Sequence, residues 1–382
     1  MQVLGDLLLL ASILGVVYLA AANASVIRFT LLCHPERSRE AAQSRDGPAI
    51  TVLKPISGLE PMLYENLASF CSQDYPNYEV ILCLEDERDP ARPTVERVIA
   101  DFPKCSTRLF AGDNAAVRNP KIANLAKGAA AARGELIVIS DSDVRVGPKY
   151  LHSVAASFVP ERTGAISSLY RGITGVYWVS QLGAAYVEEQ FAPSVLVATT
   201  FGRMHFCLGA SMAVRRDVLD AIGGIAALGP YLADDHKLGE LVAALGYEVV
   251  LSNDIVATTI AETTLRDLWS HELRWARTNL VLAPFGYAFS FLMFGVPLAL
   301  LYLVVSRNWI VAVPVLAAAV AVRTLLHFTS RQTLGVREHG ATLWLMPVRD
   351  AFSVAVWIVS FFGRSVRWRQ ASVTVSTDGQ MQ

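Results

Sequence analysis

The run Gly134-Glu-Leu-Ile-Val-Ile-Ser-Asp-Ser-Asp-Val-Arg-Val-Gly147 constrains this chain more than any other stretch. Leu136 to Ser140 is apolar and β-branched, which predicts a buried strand. It ends in Asp141-Ser142-Asp143, placing two carboxylates one residue apart at a strand's carboxyl end, the edge where open α/β sheets bind ligands. Carboxylates so placed repel each other and gain most from a shared cation. Hard oxygen donors suit Mg²⁺ or Mn²⁺, and such ions usually also hold a substrate's phosphates. One expectation is therefore a metal–diphosphate site. The other is a solvated turn, because Asp and Ser favour turns, and for an isolated Asp-x-Asp the turn is the default.

The surrounding chain alternates strands and helices. Ala49–Leu53 reads as a strand running into Lys54-Pro55, Pro61–Cys71 as a helix, and Tyr78–Leu84 as a strand ending at Glu85-Asp86. Ala91–Phe102 reads as a helix, Thr107–Phe110 as a short strand, and Ile122–Arg133 as an Ala-rich helix. Such alternation argues for a mostly parallel sheet covered by helices, with Lys54, Asp86 and Asp141/Asp143 at one edge. Further on, Lys149–Phe158 reads as a helix, Ala165–Tyr170 and Gly209–Val214 as strands, and Arg216–Ile222 as a helix stopped by Gly223-Gly224. A helix is expected over Lys237–Leu245, with Asp234 as its cap and Asp235 surplus to that role, and a strand over Glu248–Leu251. Gly172–Phe206 is apolar, aromatic-rich and irregular. It reads equally as a flap shaping a pocket near a bilayer or as ordinary helical packing. Within it Glu188 and Glu189 are expected on a solvated face, and His205 is balanced between function and packing.

Apolar flanks bracket this middle. Hydrophobic residues make up 53% of the 382 and charged residues 18%, too apolar for a purely soluble enzyme and too charged for an all-membrane protein. Leu7–Val26 has the length of a bilayer span. Ala22-Asn23-Ala24 has the look of a signal-peptidase site, but Asp6 is the only charge ahead of it, so an anchor is the preferred reading. Arg28, Arg37, Arg39 and Arg45 follow, which puts the amino terminus outside and the next domain in the cytoplasm by the positive-inside rule. Thr263–Thr278 mixes Trp269 and Trp275 with Arg266, His271, Arg274 and Arg277, an amphipathic helix suited to a membrane surface. Leu280–Val305 is uncharged and long enough to span. Trp309–Phe328 spans only if Arg323 reaches an interface, and Leu343–Phe362 is interrupted by Arg349 and Asp350. The expected organisation is an anchor over 1–27, a linker over 28–48, a catalytic domain over 49–262, an interfacial helix over 263–279, a membrane region over 280–369 and a tail over 370–382. The net charge of −1 gives no nucleic-acid footprint. The five cysteines follow no metal or disulfide spacing, which fits a reducing compartment.

Taken in order, Leu53-Lys-Pro-Ile-Ser-Gly-Leu-Glu-Pro61, Gln73-Asp-Tyr-Pro76, Glu85-Asp86 with Asp89-Pro90, Asn119-Pro-Lys-Ile-Ala-Asn-Leu125, Asp141-Ser-Asp143, Gly209-Ala-Ser211, Ala233-Asp-Asp235 and Arg274-Trp275 form a specific pattern. It resembles the ceramide glucosyltransferase family and its bacterial hopanoid-biosynthesis relatives, over about Thr51 to Thr278 with similar membrane flanks. The resemblance implies a GT-A fold of the α/β class, facing the cytosol, that transfers a hexose from a UDP-sugar to a lipid hydroxyl with inversion. It implies Asp86 near the uridine, Asp141 and Asp143 on a Mg²⁺ or Mn²⁺ ion and the diphosphate, and Asp235 as general base. Arg274 and Trp275 match the family's Gln-x-x-Arg-Trp motif, in which His271 stands here for Gln. Lys121 is a candidate nucleotide or diphosphate contact, and Lys54 is either that or a strand-end charge. The implied partners are the UDP-sugar, a ceramide or hopanoid acceptor and the bilayer, in a multi-pass protein of a bacterial cytoplasmic membrane. UDP-glucose to ceramide is the simplest pairing and UDP-N-acetylglucosamine to a hopanoid tetrol the alternative. A non-catalytic membrane scaffold that binds nucleotide sugar is the reading from a different class, and it leaves Asp235 without a purpose.

Overall fold

The computed structural model describes residues 2–32, 47–112, 117–306, 308–336, 343–363, 365–368, 371–374, 376 and 379–381. Most of the polar stretch expected as a linker lies outside these residues. The chain opens with α1 (Gln2–Leu32), followed by β1 (Ile50–Ile56), α2 (Leu63–Cys71), β2 (Tyr78–Leu84), α3 (Arg92–Asp101), β3 (Ser106–Ala111), α4 (Pro120–Ala131) and β4 (Leu136–Ser140). Then come β5 (Val144–Arg145), α5 (Tyr150–Ser157), β6 (Thr163–Ser167), β7 (Tyr170–Thr174), α6 (Trp178–Tyr186), a π-helical turn (Val187–Phe191) and α7 (Ala192–Phe201). Next are β8 (Ser211–Arg215), α8 (Arg216–Ala221), α9 (Asp234–Ala244), β9 (Glu248–Leu251), β10 (Val256–Ile260) and α10 (Leu265–Leu282). The carboxyl-terminal part holds α11 (Pro284–Phe289), α12 (Gly295–Val305), α13 (Trp309–Thr333), α14 (Met346–Ser360), β11 (Ser365–Trp368) and β12 (Ala371–Thr374).

The main sheet has the order β3-β2-β1-β4-β8-β6-β9. Every residue of β1 and of β4 is buried, as expected of central strands covered by helices on both faces. Leu53 of β1 lies opposite Ile81 of β2 and Ile139 of β4, both in parallel register. The chain winds outward from β1 through β2 to β3 and then returns to the other side of β1 as β4. That reversal opens a crevice beyond the carboxyl ends of β1 and β4, where Lys54 and Asp141 stand. Beyond β4, strand β8 runs antiparallel to both β4 and β6, and β9 pairs parallel with β6. A second sheet, β5-β10-β7, begins just past the Asp141-Ser142-Asp143 turn, pairing Thr258 with Val144.

Three expectations about this domain change. The stretch expected as one strand over 165–170 divides into β6 in the main sheet and β7 in the small one. Strand β10, whose Val-Ala-Thr-Thr-Ile run is short and only half apolar, is not evident from the sequence. The irregular stretch after Gly172 is helical, with two α-helices joined through a π turn, so the packing reading prevails over the flap. Its π turn also overturns the solvated-face expectation, because Glu188 and Glu189 are both buried. They meet cations carried by the carboxyl-terminal helices. Arg323 lies 2.9 Å from Glu189 and 3.1 Å from Asp350, His327 lies 2.8 Å from Glu189, and Arg331 lies 2.5 Å from Glu188. Arg323 therefore needs no interface, since its charge is met inside the protein.

Among the described residues two helices, α1 and α13, are long and apolar enough to cross a membrane, and a third crossing exists if the pair 284–305 is one span. The uncharged stretch expected as one straight span is broken by 67° before Gly295. Pro284 restarts the helix because it cannot donate into the preceding turn. Gly295 sits where a side chain on Gly15 would meet its Cα at 2.9 Å, so the two glycines let the backbones touch. Helices α1 and α13 run parallel. Asn23 donates to the Val322 carbonyl at 3.1 Å and accepts from Thr329 at 2.9 Å, and further along Thr30 meets Thr333 at 2.7 Å. α14 is amphipathic, with Arg349, Asp350, Ser353 and Ser360 buried against the rest of the protein.

Candidate functional site

Each residue of Asp141-Ser142-Asp143 is held by a different element. The Asp141 amide donates to the Ala210 carbonyl at 3.1 Å. Ser142 donates to Glu60 at 2.6 Å, and Asp143 accepts from Thr258 of β10 at 2.9 Å. Burial pushes the Asp143 carboxyl up to about 7, and the charges of Asp141 and Glu60 add to this. Such a shift comes from burial beside other acids, which a solvated turn does not have.

Beneath the turn lies Lys54, fully buried inside β1, with Nζ 4.0 Å from the centre of the Phe70 ring. Its ammonium donates to the Asp141 carbonyl and, at 3.4 Å, to Ser140. Burial pushes it down to about 7 against the pull of Asp143, Asp141 and Glu60. Of the two readings of Lys54, the strand-end charge does not hold, because β1 continues through Lys54-Pro55 to Ile56 and the ammonium braces the turn from below.

Lys121 comes from α4, whose start is fixed by Asn119 as cap and Pro120 in the first turn. The Asn119 side chain also donates to the Tyr231 carbonyl at 2.8 Å, tying this turn to the one that precedes α9. Lys121 Nζ lies 2.8 Å from Asp141 Oδ1 and 3.3 Å from Asp234 Oδ2. Burial opposes its charge, but Asp141, Asp234 and Asp235 outweigh burial and hold the ammonium above its ordinary range. Asp234 is therefore not the expected cap. Ala233 holds that position, and Asp234 lies inside the first turn facing Lys121.

Asp235 is the next residue of α9. A Cβ on Gly209 would come within 3.0 Å of its Oδ2, so Gly209 makes room for the carboxylate. Its Oδ1 accepts from the His236 amide at 2.8 Å. Burial and then the charge of Asp234 raise it to about 6, with Lys121 opposing. Arg274 of α10 is held below its ordinary range by burial, while Glu262, Asp141 and Asp235 pull the other way, so its guanidinium shares the field of the same acids. His271 bonds Glu262 through Nδ1 and stands edge-on to Trp275, with ring centres 4.2 Å apart. Trp275 in turn packs near Tyr186 at 5.9 Å.

The structure thus gathers Lys121, Asp141, Asp143, Asp234, Asp235 and Arg274 into one electrostatic cluster, with His271 and Trp275 on its border. Asp86 stays apart. It is exposed past the end of β2, on the same sheet edge, accepting from the Arg88 amide at 2.5 Å. His205 is exposed before β8. Glu60, Glu262 and Thr258 went unnoticed in the sequence. Glu60 lies inside the Leu53–Pro61 segment without being singled out there, and no local pattern marks Glu262 or Thr258.

The tail reaches this site. Gln380 pairs antiparallel with Tyr231, Met381 donates its amide to the Pro230 carbonyl at 2.9 Å, and Arg118 donates to the Met381 carbonyl at 2.6 Å. Residues 379–381 therefore touch both turns that precede Lys121 and Asp235.

Asp141 and Asp143 offer hard oxygen donors one residue apart beside further acids, which suits a divalent ion. Among the described residues no group of three or more His, Cys, Asp or Glu side chains is arranged to enclose one. An ion there would complete its shell with substrate oxygens and water, as Mg²⁺-type sites do.

A family model described as glycosyl transferase family 21 matches residues 7–381. Ceramide glucosyltransferase 3 of Caenorhabditis elegans is 26% identical over 246 residues, covering 62% of this chain and 52% of that protein. The ceramide glucosyltransferase of Gibberella zeae is 30% identical over 177 residues, covering 44% of this chain and 33% of that protein. The chain spans about half the length of the first of these curated relatives and less of the second. Among solved structures, a mannosyltransferase from Pyrobaculum calidifontis in complex with GDP-Man and Mn²⁺ matches with a TM-score of 0.50 at 18% identity, covering 92% of this chain and 99% of that one. The shared architecture is the GT-A fold, carried here with membrane-type helices at both ends.

Proposed function

Because the chain belongs to glycosyl transferase family 21, we propose that it is a membrane-bound inverting hexosyltransferase that moves glucose from UDP-glucose to the primary hydroxyl of a ceramide. The observation that carries this reading is the Lys121 bridge. One ammonium links Asp141 on the diphosphate side to Asp234, the neighbour of Asp235, on the acceptor side.

Asp235 acts as the base. The acceptor oxygen attacks the anomeric carbon, its proton passes to the Asp235 carboxylate, and the anomeric C–O bond to the diphosphate breaks to release UDP. A single displacement needs no covalent nucleophile, only a base and cations for the leaving group. Asp141 and Asp143 would hold a divalent ion, whose positive charge would balance the diphosphate. Lys121 and Arg274 stabilise the charge that grows on the leaving group. Asp86, exposed on the same sheet edge, is assigned to the uridine end of the donor. His271 and Trp275 border the acceptor side.

The helix directions support three crossings. α1 and α13 run parallel, and the three residues 306–308 between α12 and α13 make those two helices antiparallel neighbours. The chain enters with α1, leaves through 284–305 and returns with α13. α14 then lies along the surface, and the tail ends on the catalytic side, where it meets Tyr231. Arg28 near the carboxyl end of α1 fits a cytoplasmic position for that side.

The test is incubation of purified protein with UDP-glucose or UDP-N-acetylglucosamine and either ceramide or a polyhydroxylated triterpenoid, followed by mass spectrometry of the lipids. Glucosylceramide supports the proposal. Hexosaminyl-triterpenoid alone moves the acceptor assignment, and no glycolipid with any pairing overturns the reading.

A further inference from the structure

Two residues outside the chemistry connect the site to the membrane helices. Glu272 directly follows His271 on α10, and Arg349 sits on α14, and both are buried. The Arg349 guanidinium meets Glu272 in a forked pair, Nη1 to Oε1 at 2.7 Å and Nη2 to Oε2 at 2.6 Å. It also donates to the Leu182 carbonyl of α6 at 3.2 Å and to Ser353 at 3.0 Å. From there the bonds continue. Ser353 donates to Gln190 at 2.6 Å, Gln190 to Asp350 at 3.2 Å, and Asp350 meets Arg323 of α13. An unbroken polar chain thus runs from the helix that carries His271, Arg274 and Trp275 to a membrane-crossing helix.

Buried ions of this kind add little stability over apolar side chains of similar volume, because desolvation offsets their attraction. What a fork does supply is orientation, since a bidentate guanidinium–carboxylate pair has one planar geometry. Successive residues of an α-helix are about 100° apart, so a helix fixed at residue 272 cannot turn without carrying 271, 274 and 275 out of place. Tyr186 reinforces this, lying near Trp275 on one side and 5.5 Å from the Arg349 guanidinium on the other.

We propose that Arg349 is a positioning residue for sugar transfer. Through Glu272 it fixes the rotation of α10 and holds Arg274 and Trp275 in register with Asp141 and Asp235, referenced to the membrane helices rather than to the catalytic sheet alone. This rests on the function proposed above.

The test compares wild type with Arg349→Lys and with the paired change Glu272→Met plus Arg349→Met, which removes both charges together. The readouts are kcat, KM for donor and lipid, UDP affinity, melting temperature, and deuterium uptake by the 265–282 segment against the 136–140 strand. The paired variant should melt near wild type and bind UDP within about threefold, yet lose at least about tenfold in kcat, the scale at which small misplacements act. Uptake should rise in 265–282 alone, a result that does not depend on knowing the substrate. Arg349→Lys, which keeps the charge without the fork, should fall between. If the paired variant keeps wild-type kcat, or if 265–282 exchanges as in wild type, the positioning role is overturned. If wild type itself transfers no sugar while exchange in 265–282 rises in the variant, the fault lies with the proposed function and the role of Arg349 in fixing α10 stands.

Discussion

Lys121 lies between two acids from different parts of the chain, 2.8 Å from Asp141 after β4 and 3.3 Å from Asp234 at the start of α9. A single side chain thus links the end of β4 to the first turn of α9. A diphosphate arriving beside Asp141 would meet this ammonium first. Lys121→Met should therefore raise the donor KM and lower kcat, with kcat/KM falling by about 10² to 10³. Lys121→Arg should recover part of the loss. Steady-state kinetics in detergent or nanodiscs measures both, and a methionine variant with wild-type kcat/KM would remove Lys121 from the site.

As the proposed base, Asp235 should set a pH requirement. Burial and Asp234 raise its carboxyl to about 6, and the base must be ionised to take a proton. Protonation thus removes activity as pH falls, and kcat/KM should rise roughly tenfold per pH unit below about 6 and level off above it. Asp235→Asn should lose about 10² to 10⁴ in kcat, lose the acid limb, and keep its affinity for UDP. A full-strength acid limb in the Asn variant would assign that titration to another group.

Gly209 tests the same carboxylate by volume alone. Its Cβ would stand 3.0 Å from Asp235 Oδ2, so Gly209→Ala should push the acid from its place without changing any charge. The expected result is a kcat lowered by about tenfold or more with the melting temperature close to wild type. Gly128, whose Cβ would meet Cys83 Sγ at 2.5 Å in the core, is the contrast. There the same change should lower stability first.

The main features of this arrangement were legible in the sequence, and the reasons differ by element. The buried strand ending at Asp141 showed itself because a parallel central strand reads as an unbroken apolar run, and Tyr78–Leu84 was placed to the residue for the same reason. Asp235 stood out as one acid too many at a helix start. The partners of these acids were not legible. Thr258 lies 115 residues from Asp143 and Arg349 lies 77 from Glu272, and only the fold brings them together. Charges such as Glu189, Arg323 and Asp350 looked like solvated or span-breaking residues, because each was weighed alone and their pairing is a tertiary fact. The bend before Gly295 was hidden by composition, since an uncharged stretch carries no mark of the close approach to Gly15.

The donor set leads to a prediction of metal dependence. Asp141 and Asp143 are the hard-oxygen donors at the turn, and Asp143 is pushed up to about 7 by burial and its acidic neighbours. Asp143→Asn should abolish Mn²⁺ binding measured by electron paramagnetic resonance while the fold persists, because the amide keeps the bond from Thr258 with one weaker oxygen. Chelation should stop transfer, and added Mn²⁺ or Mg²⁺ should restore it. Retained transfer after exhaustive chelation would leave Lys121 and Arg274 as the only charges balancing the diphosphate.

Topology gives a prediction independent of catalysis. The tail pairs Gln380 with Tyr231 and anchors Met381 through Arg118, so it must share a side with the catalytic domain. An even number of crossings between α10 and the tail is then required. α13 supplies one, because it runs parallel to α1, and the bent pair 284–305 must supply the other rather than fold back as a re-entrant loop. α14 adds none, since its buried face is the charged one, with Arg349 and Asp350 packed on α10 and α13. A single cysteine placed at Ser306, in a background lacking the native thiols, should be labelled from the outside of intact cells or spheroplasts. One at Ser376 should be labelled only after permeabilisation. Outside labelling at Ser376 would require α14 to cross, which would drag the Arg349–Glu272 pair into the bilayer and break the link between α10 and the membrane helices.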